Sequence, residues 1–279
     1  MPTEGELWAR AALADLRRGS FGLRAWRQFV AASLRRAGET RRARRELARQ
    51  ARAWVATGAG ASLIAPPLLA STGLRVPRVR AQLAWWVCVS AMLDWHLGMV
   101  ESPDGRPRRL SAADALTLAR LWLVPFALAA PPARRWSLGV LAAGGATDAL
   151  DGALARAGRP TRLGHSLDKS ADVAFTGAMA AAARREGWLG QGASGALAAR
   201  HASVVALTAL HYFLRGGPPS PHRFAEARAA GPFLFVGLAF AASGRQHIGD
   251  TLVAAGSTGA LVWSGAGKRL GKSYRAIPI

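Results

Sequence analysis

Apolar stretches alternate with arginine-bearing linkers from about residue 54 to residue 267, and that alternation limits the possible folds more than any other feature of this chain. The chain is 51% hydrophobic yet carries a formal net charge of +21, a combination that suits a soluble globule poorly. The two facts are reconciled if the apolar segments are helices shielded by lipid and the cations lie in the loops between them. Core helices are expected near 112–130, 136–153, 167–183, 196–214, 229–243 and 248–267, after two earlier apolar stretches, Trp54–Leu74 and Leu83–Val100. The fold expected is therefore all-α: a polytopic transmembrane helix bundle, with a six-helix core behind an N-terminal helical extension. Several segments are shorter than the roughly 20 residues of a full span, so they must extend into interfacial turns.

Three regions follow. Residues 1–53 form a basic, partly amphipathic arm with 13 Arg against 5 acidic residues. In it Leu23, Trp26, Val30 and Leu34 recur at helical spacing, which fits either a helix on an anionic membrane face or one packed on its own protein. Residues 54–110 hold one or two extra membrane-associated helices, the first expected to kink or break at Pro66 and Pro67, and then a loop. Residues 111–279 form the core and a basic tail. Ser111 followed by Asp114 reads as a helix start. Neither zinc-ligand spacing nor an aromatic RNA-binding strand is present, so the basic charge points to lipid and not to nucleic acid. Cys88, the one cysteine, is expected to be a packed apolar residue. The N-terminus does not read as a secretory signal peptide.

The chemistry concentrates in Asp148, Asp151, Asp168 and Asp172. The first two are three residues apart and the last two four apart, so each pair shares a helix face. A loop of about ten residues, Ala157 to Leu167, would set the two helices side by side. One aspartate deep in a bilayer costs roughly 2.5–3.5 kcal/mol, and four together also repel. Divalent cations remove both penalties, and hard carboxylate oxygens favour Mg2+ or Mn2+, two of which can share four carboxylates and still accept phosphate oxygens. Arg156 and Arg162 are placed to meet a diphosphate.

The run Asp-x2-Asp-Gly-x2-Ala-Arg, a short gap, then Gly-x3-Asp-x3-Asp, resembles the signature of the CDP-alcohol phosphatidyltransferases. Asp148, Asp151, Gly152, Ala155, Arg156, Gly164, Asp168 and Asp172 match it. The gap from Arg156 to Gly164 is one residue shorter than usual. Upstream, Asp114, Thr117 and Arg120 resemble the family's first core helix, with Asp114 where Asn is usual, and Thr161 stands where some members contact the CDP group. The resemblance covers about residues 111–270. It implies transfer of a phosphatidyl or similar group from a CDP-linked lipid donor to a small alcohol or lipid acceptor, with release of CMP. It further implies metal binding by the four aspartates, Asp172 as the base, donor binding by Asp114, Thr117, Gly152, Ala155, Arg156, Thr161 and Gly164, and a homodimer. A catalytically silent lipid-binding or assembly protein of the same fold is the alternative, disfavoured by the intact aspartates. An ion transporter is disfavoured because the acids cluster and form no path.

With the aspartate segment facing the cytosol, that side holds ten Lys or Arg. The opposite side holds six, namely Arg134, Arg135, Arg184, Arg185, Arg200 and Arg245. The bias predicts a multi-pass cell-membrane protein with its site toward the cytosol. Trp54, Trp136, Trp188 and Trp263 are expected in headgroup layers. Asp94 and His96 read as interfacial structural residues, Asp250 as a helix cap, and Gly144 with Gly145 as a close helix contact.

Overall fold

The fold comes from a computed structural model, which describes residues 3–102, 105–129, 134–157, 161–216 and 231–270, the side chains of 155–157 and 260–270 excepted. Ten α-helices follow one another with no strand among the described residues. They are α1 Glu4–Arg18, α2 Leu23–Ala43, α3 Arg45–Ala70, α4 Val79–Trp95, α5 Ala112–Ala129, α6 Arg134–Ala157, α7 Arg162–Arg185, α8 Gln191–Arg215, α9 Gly231–Ala242 and α10 Gln246–Leu270. Three of them, α3, α5 and α8, are long and apolar enough to cross a membrane; α9 is apolar but shorter. On α3 and α8 the side chains Ile64, Leu68, Val205, Leu207 and Leu214 face outward.

The all-α bundle expected from the hydropathy pattern is what forms. Helix α5 lies at its centre against α6 and α7, while α8, α9 and α10 close the far side. Phe126, Phe175, Leu189, Leu197 and Leu238 fill the core, each at most 2% exposed. Gly144 lets α6 approach α7, since a Cβ there would lie 2.2 Å from the Phe175 ring. The extension docks through half-buried indoles. Pro125 has no N–H, so the Leu121 carbonyl loses its helical donor, and Trp85 Nε1 of α4 donates to it instead at 2.7 Å. Trp122 Nε1 reaches Ser62 Oγ of α3 at 2.9 Å, and Gln82 Nε2 reaches the Trp122 carbonyl at 3.0 Å.

Several expectations change. Helix α3 begins at Arg45, inside the stretch read as the arm, and is not broken at Pro66 and Pro67. The prolines cost it the donors to two carbonyls, and the helix ends a turn later. Helix α7 begins at Arg162, five residues before the expected start, because Thr161 caps it with Oγ1 accepting from Gly164 N at 2.9 Å. The ten-residue loop is thereby reduced to the few residues between Ala157 and Arg162. Arg200 is not in a loop: it lies well inside α8 and is 8% exposed. Trp188 is buried within the protein, beneath the Arg134 guanidinium. Cys88 is exposed on α4 and not packed. Leu23, Val30 and Leu34 are exposed, while Trp26 of the same α2 stripe packs against Phe213 of α8. Asp94 pairs with Arg41, His96 Nδ1 lies 2.8 Å from the Met92 carbonyl, and Asp250 accepts from Gly190 N at 2.7 Å.

Candidate functional site

The four aspartates meet around one arginine. Asp148 and Asp151 project from the last turns of α6, Asp168 and Asp172 from the first half of α7, and Arg120 from α5 reaches all four. Its Nη1 lies 3.1 Å from Asp148 Oδ1, 3.1 Å from Asp168 Oδ1 and in contact with Asp172, while Nη2 lies 2.5 Å from Asp151 Oδ2. Arg120 is 0% exposed. Asp151 is nearly as buried, with 6% of its side chain exposed, and it also accepts from Thr117 Oγ1 at 3.0 Å. The other three carboxylates are about two-fifths exposed, so the cluster is closed on the α5 side and open on the other.

Arg120 and Thr117 lie on one face of α5, and Asp114 continues that face to the helix start. Asp114 is 2% exposed and caps α5 reciprocally with Ser111: its Oδ2 accepts from Ser111 N at 2.7 Å. Its Oδ1 accepts from Thr161 Oγ1 at 3.2 Å. Gly164 makes that junction possible, because a Cβ there would come 2.4 Å from Asp114 Oδ1 and 3.0 Å from Thr161 Oγ1. The caps of α5 and α7 are thus a single buried polar knot beside the carboxylates. Gly164→Ala is expected to cost about 1–3 kcal/mol in thermal unfolding through this overlap.

One arginine leaves four carboxylates with a net charge of about three negatives. Oxygens of Asp148, Asp151 and Asp168 lie within 4.8 Å of one another, an all-oxygen donor set that fits a hard divalent cation. The structure therefore brings together Asp148, Asp151, Asp168 and Asp172, with Asp114, Thr117, Thr161 and Gly164 beside them. Gly152 follows Asp151 on α6. The side chains of Ala155 and Arg156 lie outside the described residues.

Arg162 departs from expectation. It does not lie open for a diphosphate but pairs with Glu6 of α1, with its Nε 3.6 Å from Glu101 Oε1. Thr3 Oγ1 donates to that same Glu101 oxygen at 2.8 Å, and Arg162 N to the Glu101 carbonyl at 2.9 Å. At its other end α1 ties to α8, where Arg17 Nη1 donates to the Phe213 carbonyl at 3.2 Å. The arm is therefore strapped from the head of α7 to the tail of α8. Burial raises the Glu6 pKa, but the bonds from Arg162 and Thr3 N and the Arg162 charge outweigh it and hold the carboxyl below its ordinary 4.5. A depressed carboxylate stabilises docking above pH 4.5 and loses that contribution as the pH falls through its folded value. Limited proteolysis is expected to cut the α1–α2 junction faster near pH 3.5 than at pH 7, and Glu6→Gln to abolish most of that difference.

Reading the residues alone leaves the Arg120 hub and the Thr3–Glu6–Glu101 clamp unassigned. The hub had a signal: an arginine inside an apolar helix requires an anionic partner, and the four aspartates were the acids at hand.

The fold and site define an all-helical bundle that has three membrane-length helices and, at one end, a carboxylate cluster that could hold a divalent cation. The CDP-alcohol phosphatidyltransferase profile matches residues 110–263, more than half of the 279 residues, and the chain belongs to that family. As a member it is an enzyme of phospho-alcohol transfer from a CDP-alcohol to an acceptor alcohol. No curated protein and no solved structure matches the chain.

Proposed function

We propose that this protein is a multi-pass cell-membrane transferase that moves a phosphatidyl or similar group from a CDP-linked lipid donor, such as CDP-diacylglycerol, to an acceptor hydroxyl in phospholipid biosynthesis. The convergence of Asp148, Asp151, Asp168 and Asp172 about Arg120, at one end of a bundle with three membrane-length helices, is the observation that carries this reading.

Asp148, Asp151 and Asp168, with Asp172 beside them, are the residues to hold one or two Mg2+ or Mn2+ ions. Bound there, the ions supply charge neutralisation for a donor diphosphate. Asp114, Thr117, Thr161 and Gly164 would form the nucleotide end of the site, with Gly152, Ala155 and Arg156 along α6. The acceptor oxygen forms a bond to the lipid-side phosphorus as the bond from that phosphorus to the CMP oxygen breaks. Asp172, on α7 and partly exposed, takes the hydroxyl proton. Arg120 holds all four carboxylates in register. Its positive charge lies against the Asp151 carboxylate where water does not reach.

The placement of the site toward the cytosol is supported by the distribution of cations. Ten lie on the site's side, and five remain opposite once Arg200 is assigned to the interior of α8. Protein purified in detergent is expected to release CMP from CDP-diacylglycerol only when a suitable alcohol is present. A chelator should stop the release, and Mg2+ or Mn2+ restore it. Absence of CMP across a panel including glycerol phosphate and inositol phosphate would instead favour a silent lipid-binding protein.

A further inference from the structure

A basic cluster lies away from the aspartates, where α2 turns into α3. A groove of about 410 Å³ is lined there by Arg41, Arg42, Arg45, Arg49 and Arg52, with Gly38 at its rim. Arg41 is taken by Asp94, and the nearby Glu46 by Arg109 at 2.5 Å. Among the described residues no carboxylate pairs with Arg42, Arg45, Arg49 or Arg52, all four of which are exposed. Four cations so arranged repel one another, and an anion between them removes that repulsion.

The groove continues into a surface of different chemistry. At 100° per residue, Arg45, Arg49, Arg52, Ala56, Gly60 and Leu63 fall on one face of α3. Beneath the arginines Ala56 is exposed, Gly60 has nothing within 4 Å of where its Cβ would be, and Leu63 is 54% exposed. A cationic head is thus followed by an open strip of small residues and then an exposed leucine. From Arg52 to Leu63 the helix rises roughly 16 Å, about the depth of one bilayer leaflet's hydrocarbon. Gln50 pairs with the Leu110 backbone at 2.9 and 3.1 Å, so this end of α3 adjoins the start of α5, which also bears the aspartate site.

We infer that this face of α3 binds one anionic phospholipid, its phosphate among Arg45, Arg49 and Arg52 and one acyl chain along Ala56 and Gly60. The site lies outside residues 110–263 and its occupation requires no turnover.

Native mass spectrometry of the detergent-purified full chain tests it, with dioleoyl phosphatidylglycerol or dioleoyl phosphatidylcholine added at equal concentration. One phosphatidylglycerol is expected to be retained in preference to phosphatidylcholine. The triple variant Arg45→Gln, Arg49→Gln, Arg52→Gln should weaken retention about 100-fold, and Arg49→Gln alone about fivefold should the triple variant fail to fold. Gly60→Leu keeps every charge but places a bulky side chain on the strip, and should weaken the lipid about tenfold, the equivalent of two displaced methylenes. Equal retention of the two lipids, or retention indifferent to these variants, overturns the proposal. Displacement of the lipid by low-millimolar inorganic phosphate would identify a free-anion site, and preferential binding of a short RNA a nucleic-acid site; either result also overturns it.

Discussion

Asp172→Asn is expected to lower acceptor-dependent CMP release by about 10²–10⁴-fold, the usual contribution of a general base. The amide matches the carboxylate in shape and can still accept from Arg120, so the neighbouring contacts persist. Donor affinity, read by a nonreactive CDP-lipid analogue, should therefore change far less than turnover. Asp172 separates from its neighbours on geometry. Asp148, Asp151 and Asp168 supply the gathered oxygens, whereas Asp172 sits a turn further along α7, outside that set. A variant with unchanged CMP release and unchanged stability would remove Asp172 from the chemistry.

Arg120→Gln should have the largest effect on the fold itself. Arg120 is wholly buried and touches all four carboxylates, and removing one partner of a buried ion pair typically costs about 3–5 kcal/mol. Asp151 suffers most, since Thr117 is then its one remaining donor among the described residues. Arg120→Lys should recover little, because one ammonium cannot offer Nη1 to three aspartates and Nη2 to the fourth. The carboxylates left behind carry more net negative charge, so Mg2+ should raise the melting temperature of Arg120→Gln by more than it raises that of the parent. An unfolding midpoint equal to the parent's with and without Mg2+ would show that the hub is not what holds the cluster.

Much of the bundle can be read from hydropathy, because lipid-facing helices advertise themselves by composition. The helix expected at 112–130 is found at Ala112–Ala129, and the one at 229–243 at Gly231–Ala242. Structure and hydropathy part where a specific side-chain contact outweighs composition. Thr161 starts α7 early because its hydroxyl caps Gly164 and binds Asp114, a contact across 47 residues that no local pattern reveals. Arg200 resembled a loop residue because an isolated arginine is usually outside the bilayer, yet α8 carries it into the protein interior. Arg162 looked available to a diphosphate because its partners, Glu6 and Glu101, are distant in sequence. The aspartates were legible for a different reason: spacings of three and four residues fix their faces on a helix, and their mutual repulsion demands a cationic partner. That the covalently attached part of this partner is Arg120 emerged from the packing of α5 against α6 and α7.

The most direct test follows the phosphorus itself. Purified protein with Mg2+ is given CDP-diacylglycerol labelled in the lipid-side phosphate, together with a panel of acceptor alcohols, and the label is traced by chromatography. Label is expected to pass to a new phosphodiester lipid containing the acceptor, in step with CMP, and Asp172→Asn to stop both. Label that stays in the donor with every acceptor, or appears only as phosphatidic acid, would contradict the proposed transfer.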